Sequence, residues 1–292
     1  MTSERLIRKR EVRNVLIITM IANIAVVVAK VIAGFSAASL SVLADATHSS
    51  VDSWNNVMGL VLVGVAAKAP DPEHPYGHAK FETLGALAIV AFLSVTVYEL
   101  VTSAITRMMG RGPEVELAQT PLAIAVMLGS AVVNFFVSRY ETRRGRELHS
   151  ELLIADAAHT RSDIYASLGV VLGLLLVRIG FENADAIFTM LVAIVIARAS
   201  WRILKTTIPI LVDTRAVAEE EICTLAMSVK GVHDCFAVRS RGRTGEIFAE
   251  LTITVDGTLN VEQAHVIADH VERRIAEGVG AREVVVHVEP VP

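Results

Sequence analysis

The chain has 292 residues, 53% of them hydrophobic, and a formal net charge of only −4 with no long block of one sign. A mean hydropathy of +0.52 excludes an ordinary water-soluble globule, and the charge balance offers nothing to a nucleic-acid backbone, so no nucleic-acid partner is expected. The two cysteines, Cys223 and Cys235, form no CxxC and fall in the polar C-terminal part, so two separate thiols are expected, with no disulfide framework and no thiolate metal site.

A basic start is followed by an apolar run over residues 15–34. That run is too long for a secretory signal and about right for roughly 30 Å of hydrocarbon, so it is read as a retained first span. Six segments can cross a bilayer: about 13–34, 40–67, 81–106, 118–140, 150–178 and 184–207. An even number of spans puts both termini on one side. Arg5, Arg8, Lys9, Arg10 and Arg13 precede the first, Lys68 and Lys80 flank the second connection, Arg139, Arg143, Arg144 and Arg146 crowd the fourth, and Arg202 and Lys205 close the sixth. The opposite connections carry Arg107, Arg111 and Arg178 only. The excess of positive charge therefore places the N- and C-termini in the cytoplasm.

After Ile210 the texture becomes that of a small soluble α+β domain. A Glu-rich helix over 216–229 precedes alternating strands over 232–240 and 246–255, joined by a turn at Arg241-Gly242-Arg243-Thr244-Gly245. An amphipathic helix over 261–277 and a strand over 283–288 complete an α-β-β-α-β order. The expected fold is thus an α-helical membrane protein: a six-transmembrane-helix bundle over 1–208, followed by a cytoplasmic αββαβ domain over 209–292.

Within the bundle, one eight-residue pattern, Asp-Ala-x-His-x-x-x-Asp, occurs twice, at Asp45 to Asp52 and at Asp156 to Asp163. On a helix, residues four apart are only about 40° from eclipsed, so His and Asp at this spacing point the same way. Each ionisable group at mid-bilayer costs about 2.5 to 3.5 kcal/mol on insertion scales, a cost that calls for a specific partner. Two imidazoles and two carboxylates, His48, Asp52, His159 and Asp163, suit the tetrahedral preference of Zn²⁺, whereas a hard ion such as Mg²⁺ wants six oxygens. These four are the expected ligands. Asp45 and Asp156, one turn earlier, are assigned to orienting the imidazoles or exchanging protons, with helix packing or the cavity mouth as the alternative. Ser49, Ser50, Ser53, Asn55 and Asn56 extend the polar face of the second span as a hydrated route or as ordinary helix packing. Because metal needs neutral imidazoles and ionised carboxylates, proton and metal compete for the same atoms.

The His-x-x-x-Asp pair of the second span, its partner in the fifth, the Asp-Pro-Glu-His-Pro-Tyr-Gly-His-Ala-Lys connection from Asp71 to Lys80, and the αββαβ tail together resemble the cation diffusion facilitator family over about residues 15–290. The resemblance implies a homodimeric, multi-pass antiporter of the bacterial inner (cell) membrane. It would export Zn²⁺ from the cytoplasm in exchange for protons, with a metallochaperone-like cytoplasmic domain, no organic cofactor and no catalytic residue. His48 occupies the position whose occupant goes, in the family, with zinc selectivity over manganese or iron. By the same resemblance Asp71, His74 and His78 match a loop metal site, with histidines that merely shape a tight loop as the alternative. Lys80 and Asp213 match a pair at the junction of the two domains, or else are solvated boundary charges. His265, His287 and Glu289 fall at metal positions of the cytoplasmic domain. Two further histidine positions appear here as Phe236 and Thr252, which implies at most a single weak site. His233 and Asp234 read as a solvated turn and His270 as a surface residue.

Two other classes of protein carry such residues. A membrane metallohydrolase would need an open coordination position and a general base such as the Glu of HExxH, and neither that motif nor a suitably placed Glu occurs in the second or fifth span. A membrane metal sensor would bind without transporting. Within the transporter class, a broader cargo of Cd²⁺, Co²⁺, Fe²⁺ or Mn²⁺ is the alternative to zinc.

Overall fold

A computed structural model describes residues 3–36, 40–109, 121–178, 184–243 and 245–291. The connections expected between the first and second, third and fourth, and fifth and sixth spans, Arg111 among them, fall wholly or partly outside these residues. The chain divides into two compact units, Met1–Thr207 and Ile208–Pro292.

The long apolar runs all fold as helices, the one element that satisfies every backbone group from within and so tolerates hydrocarbon. They are α1 (Ser3–Ser36), α2 (Leu40–Ala66), α3 (Lys80–Met108), α4 (Pro121–Glu147), α5 (Glu151–Arg178) and α6 (Ala184–Leu211). Among the described residues, three stretches are long and apolar enough to cross a membrane: Ile7–Ser36, Lys80–Met108 and Ala186–Leu211. Helix α1 lies along α2 and against α4, α4 lies along α5, and α3 packs on both α2 and α5. Val12, Val15, Leu16, Val63, Ile89, Leu93, Leu152, Leu153 and Ile196 interlock as one apolar core. Ile21, Ile32, Phe35, Phe92, Phe136 and Ile194 instead face outward, a display of apolar surface that suits lipid.

The basic residues at the start of α1 make specific bonds. Arg8 donates from Nε to the Leu148 carbonyl at 2.6 Å and from Nη2 to the His149 carbonyl at 2.9 Å, while its guanidinium lies 3.3 Å from both oxygens of Glu82, which is only 3% exposed. Lys9 donates to the last carbonyl of α2, Ala66, at 2.5 Å, and Arg144 bridges Glu11 at 2.5 Å and Glu147 at 2.7 Å. One end of α1 is thereby fastened to α2, α3 and the α4–α5 turn. Hydrogen bonds to charged groups contribute roughly 1.5–3 kcal/mol each, so Arg8→Ala is expected to destabilise the bundle by about 2–3 kcal/mol, read as a lower melting midpoint of the detergent-solubilised protein. An unchanged midpoint would show that the clamp is not used.

In the second unit, α7 (Glu219–Met227), β1 (Asp234–Arg243), β2 (Glu246–Val255), α8 (Val261–Val279) and β3 (Ala281–Pro290) follow in order. The sheet runs β1-β2-β3, with β1 antiparallel and β3 parallel to the central β2. Ile222, Leu251, Ile253, Val271 and Ile275 fill the core between the sheet and its two helices. Asn260 caps α8 with a reciprocal box, accepting from the Gln263 N–H at 2.8 Å while its own N–H donates to Gln263 Oε1 at 3.1 Å, and Gly280 at φ 66° ends the helix.

Three expectations are corrected here. The helix expected over 216–229 is shorter, because Ala218 is extended and the segment before it is tied to β1: the Ser240 hydroxyl accepts the Val217 N–H at 3.0 Å and donates to the Val217 carbonyl at 2.9 Å. The hairpin is tighter than a five-residue turn, since Gly242 at φ 111° lets pairing continue through Arg243–Glu246; a Cβ at Gly242 would overlap the Glu246 carbonyl. Finally, Cys223 and Cys235 are not separate thiols but a disulfide with Cα atoms 5.5 Å apart, because α7 packs directly on the start of β1.

Candidate metal centre

The connection between α2 and α3 builds the most compact ligand cluster among the described residues. Asp71 and His74 close a turn: the His74 N–H donates to Asp71 Oδ1 at 2.7 Å, and the His74 Nδ1 lies 3.2 Å from the same oxygen. His78 Nε2 reaches the other carboxylate oxygen at 3.3 Å. The two imidazoles sit 4.3 Å apart, and Phe81 stacks behind His78, which is only 5% exposed. One ligand atom from each residue lies within 4.8 Å of the other two, close enough for the three to share one ion. The His74 backbone N–H is the main reason that the Asp71 carboxyl is held below its ordinary value. The hold that Asp71 exerts on the loop is therefore present above the ordinary carboxylate value of 3.8 and is lost as the pH falls through the lowered value of the folded protein.

Inside the bundle a polar cavity of about 20 Å³, room for one water-sized sphere, is walled by Asp156, His159 and Asp163 of α5. The spacing argument for α5 is thus realised as a shared face. Opposite stand Ser49 and Asn56 of α2, Asn23 of α1 and Asn134 of α4. The side chains of Asp45, His48 and Asp52 lie outside the described residues, so the α2 half of the expected ligand set is represented here only by its neighbours on the same helix.

The C-terminal positions form no comparable cluster. His287 pairs across the sheet with Thr252, which pairs in turn with Phe236, so the two residues standing in for family histidines line up beside His287. His287 Nε2 lies 3.6 Å from Glu289, while His265 on α8 pairs with Asp269 at 3.7 Å. Asp213 sits 3.6 Å from Arg241 within its own unit, and His233 donates its backbone N–H to the Thr254 carbonyl at 2.9 Å.

Four polar residues in or beside the cavity were not singled out from sequence. Asn23 and Asn134 line it; Lys30, buried on α1, donates to Ser49 at 2.8 Å; and Glu141 of α4, fully buried, faces Asp156 and Thr19 with Arg161 nearby. Lys30 and Glu141 were visible only as charges within or at the end of helical runs. Their meaning depends on which helices pack together.

The cation efflux transmembrane domain matches residues 16–212, and the cytoplasmic domain of cation efflux proteins matches residues 215–291. The chain belongs to the cation efflux family. It is similar to an uncharacterized transporter of Methanocaldococcus jannaschii, 33% identical over 96% of this chain and 99% of that one. The manganese efflux system protein MneP of Bacillus subtilis is 29% identical over 97% of both chains. The cation-efflux pump FieF of Shewanella oneidensis is 27% identical over 90% of this chain and 88% of the pump. A cation efflux protein of this kind is a membrane transporter of divalent metal ions, with a transmembrane domain and a cytoplasmic domain that contains a small sheet.

Proposed function

We propose that this cation efflux protein exports Zn²⁺ from the cytoplasm in exchange for protons, through a tetrahedral site made by His48 and Asp52 of α2 with His159 and Asp163 of α5. The observation that carries this reading is the cavity in which His159, Asp163 and Asp156 face the polar side of α2. An imidazole and a carboxylate in one small polar chamber bind either a metal ion or protons, which is the chemistry of exchange. Asp156 is suited to relaying protons or orienting the imidazole, and Asp45 is its counterpart on α2. In this reading all six helices span the membrane, the boundary with the soluble domain falls near residues 208–209, and both termini are cytoplasmic in a bacterial inner membrane. The protein works as a homodimer, and His265, His287 and Glu289 supply at most one weak C-terminal site.

Broader cargo is the second reading. Three asparagine amides around the cavity add hard oxygen donors of the kind Mn²⁺ accepts, and one similar protein is a manganese efflux system protein. Purified protein in liposomes that are acidic inside is expected to take up Zn²⁺ as protons leave, with Cd²⁺, Co²⁺, Fe²⁺ and Mn²⁺ compared in the same assay. Uptake indifferent to the proton gradient would overturn antiport, and a panel led by Mn²⁺ would replace zinc as cargo.

Asp71, His74 and His78 form a second, resident zinc site in this reading. His78→Ala is expected to lower bound zinc by about one ion per chain while the membrane site still transports. Unaltered stoichiometry in equilibrium dialysis would remove the loop site from the account.

A further inference from the structure

Lys30 is a charge on the cavity-facing side of α1, and nothing in the exchange chemistry above uses it. It is 5% exposed, and its Nζ donates to Ser49 Oγ at 2.8 Å. Ser49 is itself a wall of the cavity that holds His159 and Asp163. Asn23 and Val26, which line the same cavity from α1, precede Lys30 by seven and four residues, so all three lie on one stripe of the helix. Lys30 stands only about 6 Å further along the axis than Val26. A buried lysine in a membrane helix is costly and persists where it meets a functional demand.

That demand follows from charge. The two ligand aspartates bring two negative charges to the cavity, and a divalent ion neutralises both. In a medium of low dielectric such an ion would be held tightly and released slowly. An ammonium one hydroxyl away cancels part of the attraction and, once the ion has gone, compensates the carboxylates left behind. From this we infer that Lys30 is a built-in counter-cation of the transport cavity, weakening the hold on the divalent ion so that it can leave. Ser49 is its tether. The inference rests on the proposed membrane site and adds to it the residue that sets affinity against turnover.

The test measures Zn²⁺ binding to the purified full-length protein by competition with a chromophoric chelator. The membrane-site component is the part that Asp163→Ala removes. Lys30→Met and Lys30→Gln are expected to tighten that component about tenfold or more, and to slow Zn²⁺ flux at saturating metal. Lys30→Arg, which keeps the charge, is expected to stay near the parent in both. A lysine needed only for packing gives the opposite pattern, weaker binding in both neutral variants. Unchanged or weakened affinity in whichever neutral variant folds overturns the counter-cation. No Asp163-dependent zinc binding in the parent protein overturns the membrane site itself and this inference with it, so the two failures are told apart by the parent alone.

Discussion

Asp163→Ala is expected to abolish proton-driven metal uptake, a loss of about 100-fold or more, since even residues that only support metal ligands cost 10–100-fold when removed. Asp163 shares a face of α5 with His159, four residues earlier, and both line the cavity. Its carboxylate supplies net charge that imidazole cannot, and without it the α5 half of the proposed ligand set keeps only His159, with Asp156 about a turn further along the helix. The measurement is Zn²⁺ uptake into liposomes under a fixed inward-acidic gradient, with thermal unfolding of the same preparation as the control for folding. Flux at the parent level in a folded Asp163→Ala protein would remove α5 from the transport path.

His48→Asp has the next largest expected effect, on selectivity more than on rate. Replacing one imidazole by a carboxylate turns a site of two nitrogens and two oxygens into one dominated by oxygen, and a carboxylate that can bind through both oxygens favours larger ions with higher coordination numbers. Transport of Mn²⁺ and Cd²⁺ relative to Zn²⁺ is expected to rise roughly tenfold, the order of change that one altered ligand brings to metal affinity. Asn23, Asn56 and Asn134 already wall the cavity with amides, so additional oxygen ligation needs no new residue. An unchanged ranking across the five metals would assign selectivity elsewhere. That outcome would direct attention to the asparagines.

What could be read from sequence was periodic. His159 and Asp163, which line one cavity, stand out in the sequence because four residues make nearly one helical turn, and a repeat of that pattern in apolar surroundings has few other uses. Asp71, His74 and His78 depended on family resemblance, and the structure adds that Phe81 and a backbone N–H shape their cluster. What could not be read was contact between distant segments. Lys30 meets Ser49 across nineteen positions, and Arg8 meets Glu82 across seventy-four. Neither spacing has a period, and both depend on how helices pair. The cysteines failed for a related reason: without a CxxC spacing there was no local sign that α7 would lay Cys223 on the strand bearing Cys235.

The clamp at the start of α1 bears on how this molecule is inserted as well as how it is held. Arg8, Lys9 and Arg144 belong to the arginine and lysine bias on which the proposed orientation of the first helix and the fourth connection rests. The same three side chains bind Glu82, the last carbonyl of α2, and Glu11 once the bundle has formed. In the proposed topology, topogenic signal and tertiary bond are carried by the same side chains. A charge swap designed to invert the protein would also unfasten it, and a drop in yield after such a swap would report misassembly and misorientation together.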